Sequence, residues 1–332
     1  MAKKYHVYGM GNALVDIVTE VTDEFFTEHS IEKGFMTLVD ENRQQKLTDA
    51  IHMPSADRQC GGSAANTIIG AAQFGASCFY SCKVADDEMG DFYHDDLTSH
   101  NVSTNLSPGA HEKGITGKCL VMTTPDAERT MNTFLGITAN YSTKEVDETA
   151  LRDSEFLYIE GYLVAGESGL NAMKEAKRLA EEYSVKTALT FSDPSMVKYF
   201  KDQMADVVGS GVDLLFCNEE EAMLFTETKT VDRAIEALKQ KAKAFVVTLG
   251  AKGSLLFDGF EKIKIDPFPT TAIDTNGAGD LFAGAFLYAL TQGKTHAESG
   301  CLASLASSKV VSKWGPRLDE GQAKALHDQL FS

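Results

Sequence analysis

Residues 274–280 read Asp274-Thr275-Asn276-Gly277-Ala278-Gly279-Asp280 and run directly into Leu281-Phe282-Ala283-Gly284-Ala285-Phe286. Three small residues therefore precede an apolar helix. With no bulky side chains in the way, the backbone N–H groups of Gly277, Ala278 and Gly279 can approach an anion closely, and the helix dipole adds partial positive charge there. A phosphoryl group in transfer spreads negative charge over its oxygens, so donors at this point would stabilise it. Asp280, in the first turn, can accept a proton from an attacking hydroxyl. An isolated G-A-G-D also fits a plain glycine-rich turn whose aspartate complements the dipole. Asp274-Thr275 ahead and Gly284-Ala285 behind make the extended pattern far rarer.

A second small-residue cluster is Gly61-Gly62-Ser63-Ala64-Ala65-Asn66. A di-glycine before a helix lets a ligand touch backbone, and Asn66 offers both a donor and an acceptor to a pair of sugar hydroxyls. Read by itself, the cluster fits equally well a helix start with Ser63 as N-cap. Three other motifs fail. Gly293-Lys294-Thr295 resembles the end of a P-loop, but Tyr288 stands where its partner glycine should be. Gly9-Met10-Gly11 begins a dinucleotide fingerprint, but Leu14 occupies the third glycine position. Gly61-Gly62-Ser63-Ala64-Ala65 is one residue short of a nucleophile elbow.

The elements that must position these groups alternate. Residues 5–10 read as a strand followed by a Gly11-Asn12 turn, with further strands at 17–21 and 35–39. Residues 40–49 read as a surface helix or loop, and 63–74 as a helix with Gly75 just past its end. Residues 115–122 and 129–134 read as paired strands around Thr124-Pro125-Asp126. From 144 onward, strands at 156–159, 187–191, 212–216 and 245–249 alternate with helices at 169–183, from about 219, and at 231–242, 277–290 and 298–311. Such alternation implies parallel β-α-β units and a three-layer α/β/α doubly wound, mainly parallel sheet. Residues 1–332 are expected to be one α/β domain, with segments near 13–40 and 111–136 forming a small β-sheet lid. In open α/β sheets ligands bind beyond the carboxyl ends of the strands. Following those ends come Asn12 and Asp16, Glu160 and Gly161, Asp193 and Pro194, Asn218 and Glu221, then Gly250 and Gly253. Loops are polar anyway, but that accounts poorly for carboxylates placed directly after apolar strands.

Composition narrows the class. The 332 residues are 43% hydrophobic and 24% charged, with a net charge of -17. That balance repels nucleic-acid phosphates, and no Lys/Arg run supplies a basic patch, so no nucleic-acid partner is expected. A phosphorylated small molecule needs only a local nest of N–H groups and one or two cations. The six cysteines include no C-x-x-C pair and no zinc set, and they read as reduced, buried residues. No signal peptide or apolar membrane span is evident, and the expected location is the cytoplasm.

Over essentially its whole length the chain resembles the ribokinase-like (PfkB) family of sugar and nucleoside kinases. Residues 274–287 satisfy that family's C-terminal signature. Gly61-Gly62 with Asn66 and Gly75 matches most of the N-terminal one, with Ile68 where a small residue is usual and Ala85 where glycine is usual. Within the family, Gly11-Asn12-Ala13-Leu14-Val15-Asp16-Ile17, Phe216-Cys217-Asn218-Glu219-Glu220-Glu221-Ala222 and Glu128-Arg129-Thr130 resemble adenosine kinases and their bacterial relatives. Asp193-Pro194-Ser195 departs from the D-P-N triplet of many sugar kinases, which weakens a ribose or fructose assignment. The resemblance implies that Asn12 and Asp16 hold ribose hydroxyls, helped by Gly61, Gly62, Ser63 and Asn66. It implies Asp280 as base for the 5′-hydroxyl, Gly277–Gly279 as anion hole and Arg129 as the lid's contact to the nucleotide phosphates. Asn218 and Glu221 would position Mg²⁺ through water, and Thr248, Gly250 and Gly253 would border the ATP adenine. ATP and Mg²⁺ are thus the implied cofactors, and K⁺ dependence and oligomeric state are left open. The expected activity is phosphorylation of a nucleoside, adenosine favoured. The alternatives are inosine, guanosine or a free sugar as acceptor, and a catalytically silent binding protein on the same fold. Leu14 disfavours an NAD-dependent dehydrogenase.

Overall fold

The computed structural model describes residues 3–34, 36–51, 58–126 and 129–332, with Arg129 described by its backbone. Its strands are β1 (Tyr5–Met10), β2 (Leu14–Glu20), β3 (Met36–Leu38), β4 (Arg58–Gly61), β5 (Cys78–Ser81), β6 (Val102–Thr104) and β7 (Gly117–Thr123). They continue with β8 (Arg129–Phe134), β9 (Ser154–Glu160), β10 (Lys186–Thr190), β11 (Val212–Asn218), β12 (Ala242–Thr248), β13 (Ser254–Phe257) and β14 (Lys262–Ile265). The helices are α1 (Asp23–Glu28), α2 (Glu41–Ala50), α3 (Ser63–Gln73), α4 (Glu88–Ser99), α5 (Glu148–Arg152) and α6 (Glu167–Glu182). After them come α7 (Pro194–Val208), α8 (Glu219–Thr226), α9 (Val231–Leu238), α10 (Ala278–Thr291), α11 (His296–Val310) and α12 (Gln322–Phe331).

The main sheet runs β14-β13-β12-β11-β10-β9-β1-β5-β6. All pairs from β12 to β6 are parallel, and the β13–β14 hairpin closes one edge antiparallel. The inner strands are largely apolar along their central residues, such as Phe156–Ile159 in β9 and Leu214–Cys217 in β11, because both faces are covered. In β9, Phe156 and Tyr158 face the layer of α3, α4, α10, α11 and α12, while Leu157 and Ile159 face the layer of α5–α9. The same alternation holds for Leu214 and Phe216 against Leu215 and Cys217 in β11. This is the three-layer doubly wound architecture expected from the alternating pattern.

A second sheet, β3-β8-β7-β2-β4, stands apart from the first. One face buries Ile17, Leu120 and Met122 under Phe26 of α1 and Leu47 of α2. The opposite face carries Asp16, Cys119, Met131 and Thr133 toward a cleft against the main body. The sheet also takes in Arg58–Gly61, beyond the two segments expected from sequence. Where its strand ends meet the main body, Val21, Thr22 and Pro125 border a second cavity that Ile273 and Trp314 complete.

Several elements differ from the expectations. The helix expected over 231–242 stops at Leu238, and Lys241 already turns into β12. Segment 76–104, to which the sequence reading assigns no element, holds β5, α4 and β6. Helix α7 was missed although its start is legible: Asp193 accepts the Ser195 N–H and Pro194 opens the first turn. The strand expected at 17–21 begins earlier, at Leu14, so that Asp16 lies within it rather than in a loop. The expected strand start at Phe35 and the Glu128 of the arginine segment lie outside the described residues.

Candidate active site

The site forms where α3 and α10 cross. These two helices touch backbone to backbone: a Cβ placed on Gly284 would lie 2.4 Å from the Thr67 carbonyl oxygen and 3.0 Å from the Ala71 nitrogen. The absence of a side chain at Gly284 therefore permits the crossing. It brings the first turn of α3 against the first turn of α10. There the Ser63 hydroxyl donates to Asp280 Oδ1 at 2.7 Å, and Asn66 Nδ2 donates to Asp280 Oδ2 at 3.2 Å. The N-cap of α3 is Gly62, and the Ser63 hydroxyl goes to Asp280 instead of capping its own helix. Asn66 Oδ1 is buried and accepts no hydrogen bond from the chain.

Opposite lies the loop after β1. The Asn12 N–H and Nδ2 both donate to Glu160 Oε1, at 3.1 and 2.8 Å, and the Ala64 N–H donates to Glu160 Oε2 at 2.8 Å. Thr138 donates to Asn12 Oδ1 at 3.4 Å, and the Tyr80 hydroxyl donates to the Asn12 carbonyl at 2.9 Å. The Asp16 carboxylate rests on the Cα of Gly61, where a Cβ would fall 1.9 Å from its Oδ1. Glu160 is fully buried, and burial pushes its carboxyl up to about 7. The hydrogen bonds from Ala64 and Asn12 pull the other way, and the charge of Asp280 adds to the rise.

Asn12, Asp16, Gly62, Ser63, Asn66 and Asp280 all line one cleft of about 400 Å³. That volume falls in the range of small-molecule sites. The same cleft is lined by apolar side chains, Leu14, Met36, Leu38, Met131 and Leu135 from the second sheet and the residues just after it, and Tyr162, Leu163 and Met196 from the main body. Gly61 and Gly277–Gly279 sit beside this cleft without lining it. Gly277 is the N-cap of α10 with φ 69°, a left-handed conformation suited to glycine, and Asp280 is the third helical residue. The Asp274 carboxylate pins the preceding loop by accepting the N–H groups of Asn276 at 2.9 Å and Gly315 at 3.0 Å.

The remaining expected residues gather at adjoining strand ends. Asn218 and Thr248 are Cα partners at the ends of β11 and β12, and Gly250 and Gly253 flank the turn that follows. Asn218 and Glu221 bind each other as a capping box on α8, through N···O distances of 2.8–2.9 Å. Burial pushes Glu221 up to about 8, against the pull of its hydrogen bond from Asn218, with the negative charges of Asp193 and Glu220 assisting. The Arg129 side chain lies outside the described residues. Of the two departures noted in the N-terminal signature, Ile68 is buried in the core face of α3, and the Ala85 N–H donates to the Thr116 hydroxyl at 3.0 Å.

Sequence reasoning did not single out Glu160 as a site residue, although it directly follows the apolar run Phe156–Leu157–Tyr158–Ile159 in β9. That placement is a usable signal. Thr138 and the apolar lining residues carried none, since they reach the cleft from distant elements, and Tyr80 acts through the Asn12 carbonyl.

Among the described residues no helix is long and apolar enough to cross a membrane. Residues 36–321 match the family described as pfkB family carbohydrate kinase. The solved adenosine kinase from Sinorhizobium meliloti is 34% identical, with 98% of this chain and 99% of that one covered at a TM-score of 0.91. A probable sugar kinase from Rhizobium etli is 31% identical, covering 98% of both chains at a TM-score of 0.92. An adenosine kinase from Saccharomyces cerevisiae is 26% identical over 92% of this chain and 95% of its own length. With its signature segments folded against one cleft and the family match spanning most of the sequence, the chain belongs to the pfkB carbohydrate kinases, and it is a phosphotransferase with an alcohol group as acceptor.

Proposed function

We propose that this kinase transfers the γ-phosphate of ATP to the 5′-hydroxyl of a ribonucleoside, with adenosine the favoured acceptor. One observation carries the reading: the cleft that holds Asn12, Asp16, Asn66 and Asp280 is also lined by apolar side chains from both the second sheet and the main body. A free sugar would satisfy the polar groups and leave the apolar lining wet. A nucleoside fills both, its ribose on the carboxylate and amides and its base between the methionine, leucine and tyrosine walls. The unpaired Asn66 Oδ1 suits a ribose hydroxyl donor. Relatives named adenosine kinase support the same acceptor.

Asp280 acts as the base, its two oxygens oriented by Ser63 and Asn66. In a loose transition state the hydroxyl proton leaves late, so orientation matters more than strong basicity. The first-turn N–H groups of α10, at Gly277–Gly279, would face the migrating phosphoryl group, since the first N–H groups of a helix have no partner within it. Arg129 would add a cation from the second sheet, which would serve as a lid that closes and excludes water.

Mg²⁺ supplies charge neutralisation on the phosphates. It binds through few carboxylates and keeps several waters. Asn218 and Glu221, already paired with each other, would hold it through water. Thr248, Gly250 and Gly253 would border the adenine of ATP.

A turnover panel of adenosine, inosine, guanosine, ribose and fructose, with and without Mg²⁺ and K⁺, tests the assignment. Adenosine should give the highest kcat/KM, and dominant ribose turnover would overturn it.

A further inference from the structure

Three consecutive residues after α11 each grip a different part of the site. The Gly315 N–H donates to Asp274 Oδ2 at 3.0 Å, fixing the loop that leads into α10. Pro316 packs on Gly277 so closely that a Cβ there would lie 2.2 Å from the proline Cβ. Arg317 turns the other way. Its Nη1 donates to Asp96 Oδ2 at 2.9 Å and Oδ1 at 3.2 Å, and its Nη2 donates to the Cys60 carbonyl at 2.5 Å. The Cys60 N–H in turn donates to Asp96 Oδ2 at 2.7 Å. Arg317 and Asp96 are both largely buried, their side chains 11% and 15% exposed.

Cys60 belongs to β4, whose residues Gln59, Cys60 and Gly61 lie opposite Asp16, Val15 and Leu14 of β2. The guanidinium thus holds the strand that backs Asp16. Two residues before it, the same short stretch fixes the loop that presents Gly277–Gly279. An arginine fork onto one carboxylate and one carbonyl is planar and directional, so it fixes orientation as well as distance. Burial alone would raise the Asp96 carboxyl. The Arg317 charge and the hydrogen bonds from Cys60 outweigh it and hold Asp96 below the ordinary carboxylate range, in keeping with a charged pair.

We infer that Gly315–Pro316–Arg317 is a strut that sets the spacing between the acceptor-binding strands and the phosphate-facing loop, with Arg317 and Asp96 as positioning residues. This rests on the acceptor site proposed above. Misplacement of reacting groups by about 1 Å can cost on the order of 100-fold in rate. Loosening the strut should therefore lower kcat far more than it raises KM, and let water compete with the acceptor for the phosphoryl group.

The test uses Arg317→Met, Asp96→Asn, the double variant and Arg317→Lys in the full chain. With adenosine and ATP, Arg317→Met should lower kcat by about 10- to 100-fold with adenosine KM within about threefold. It should also form more ADP per phosphorylated adenosine than wild type. The double variant should be no worse than Arg317→Met, because both changes break one unit. Arg317→Lys, which keeps the charge and loses the fork, should fall between. Hydrogen exchange of the substrate-free protein should be faster across 274–281 in Arg317→Met, although among the described residues the guanidinium's hydrogen bonds go to Asp96 and Cys60. A variant with a lower Tm but unchanged ADP-to-product ratio and unchanged exchange at 274–281 would reduce the tripeptide to a fold stabiliser and overturn the inference. Should wild type phosphorylate no nucleoside in the panel, the acceptor reading fails, while the exchange comparison still decides the strut.

Discussion

Asp280 receives hydrogen bonds on both carboxylate oxygens, one from Ser63 and one from Asn66. Replacement by asparagine keeps its size and removes the proton acceptor. Asp280→Asn should lower kcat by roughly 10²–10⁴-fold, the usual range for a general base, with KM changed little. Near-normal turnover in steady-state assays would remove Asp280 from the role. Glu160 raises a different question, because its carboxyl titrates near neutrality, at about 7 against an ordinary value of 4.5. An acid whose folded value is raised binds its proton more tightly when folded. Stability is then highest below the unfolded value and falls as pH rises from about 4.5 through about 7. The gap corresponds to at most about 3 kcal/mol. Glu160→Gln should flatten that part of the fall in urea denaturation between pH 5 and pH 8. Glu221, raised in the same direction, would still contribute its own slope in both proteins. An unchanged slope in the variant would show that Glu160 does not titrate there.

Helices α3 and α10 make the site by crossing without side chains between them. Gly284→Val would push a branched side chain into the Thr67 carbonyl and the Ala71 nitrogen. Overpacking of this kind costs about 1–3 kcal/mol. The variant should show a lower Tm and, because Ser63 and Asn66 move away from Asp280, a reduced kcat. Wild-type kcat in a stably folded Gly284→Val would mean that the crossing does not set the geometry. Both helices were legible in the sequence, since small and apolar residues recur at helical spacing in 63–73 and 278–291. The strands that followed an apolar run were legible for the same reason. What escaped was held by tertiary context. Helix α4, with mixed polar residues, buries Gly90, Tyr93 and Leu97, too sparse a stripe to read by period. Strand β4 lies at an edge of the second sheet and is fixed by Asp96 and Arg317, residues distant in sequence. The expected overrun of α9 came from alanine and lysine continuing past Leu238, which favour helix until the turn at Lys241 commits the chain to the sheet.

At the scale of the whole molecule, two sheets share the work unequally. The main sheet, apolar on both faces, supplies the strand ends from which Asn12, Glu160 and Asp193 project. The smaller sheet supplies Asp16 and part of the apolar lining, and its outer face is covered by its own helices α1 and α2. That division was half visible: the lack of helices between early strands pointed to a separate small sheet, whereas α2 read only as a surface helix or loop over 40–49 and α1 was not assigned. The net charge of -17 leaves the binding of an anionic donor to local N–H groups and a few cations instead of to the overall field.

Trp314 is the one tryptophan in the sequence, half exposed, and it borders the cavity where the smaller sheet's strand ends approach the main body. Nature has thus placed the sequence's single indole at a seam. If substrate draws the two parts together, Val21 and Pro125 will strip water from the indole and its emission will shift to the blue during an adenosine titration. A spectrum that stays fixed at saturating nucleoside would mean the seam does not narrow.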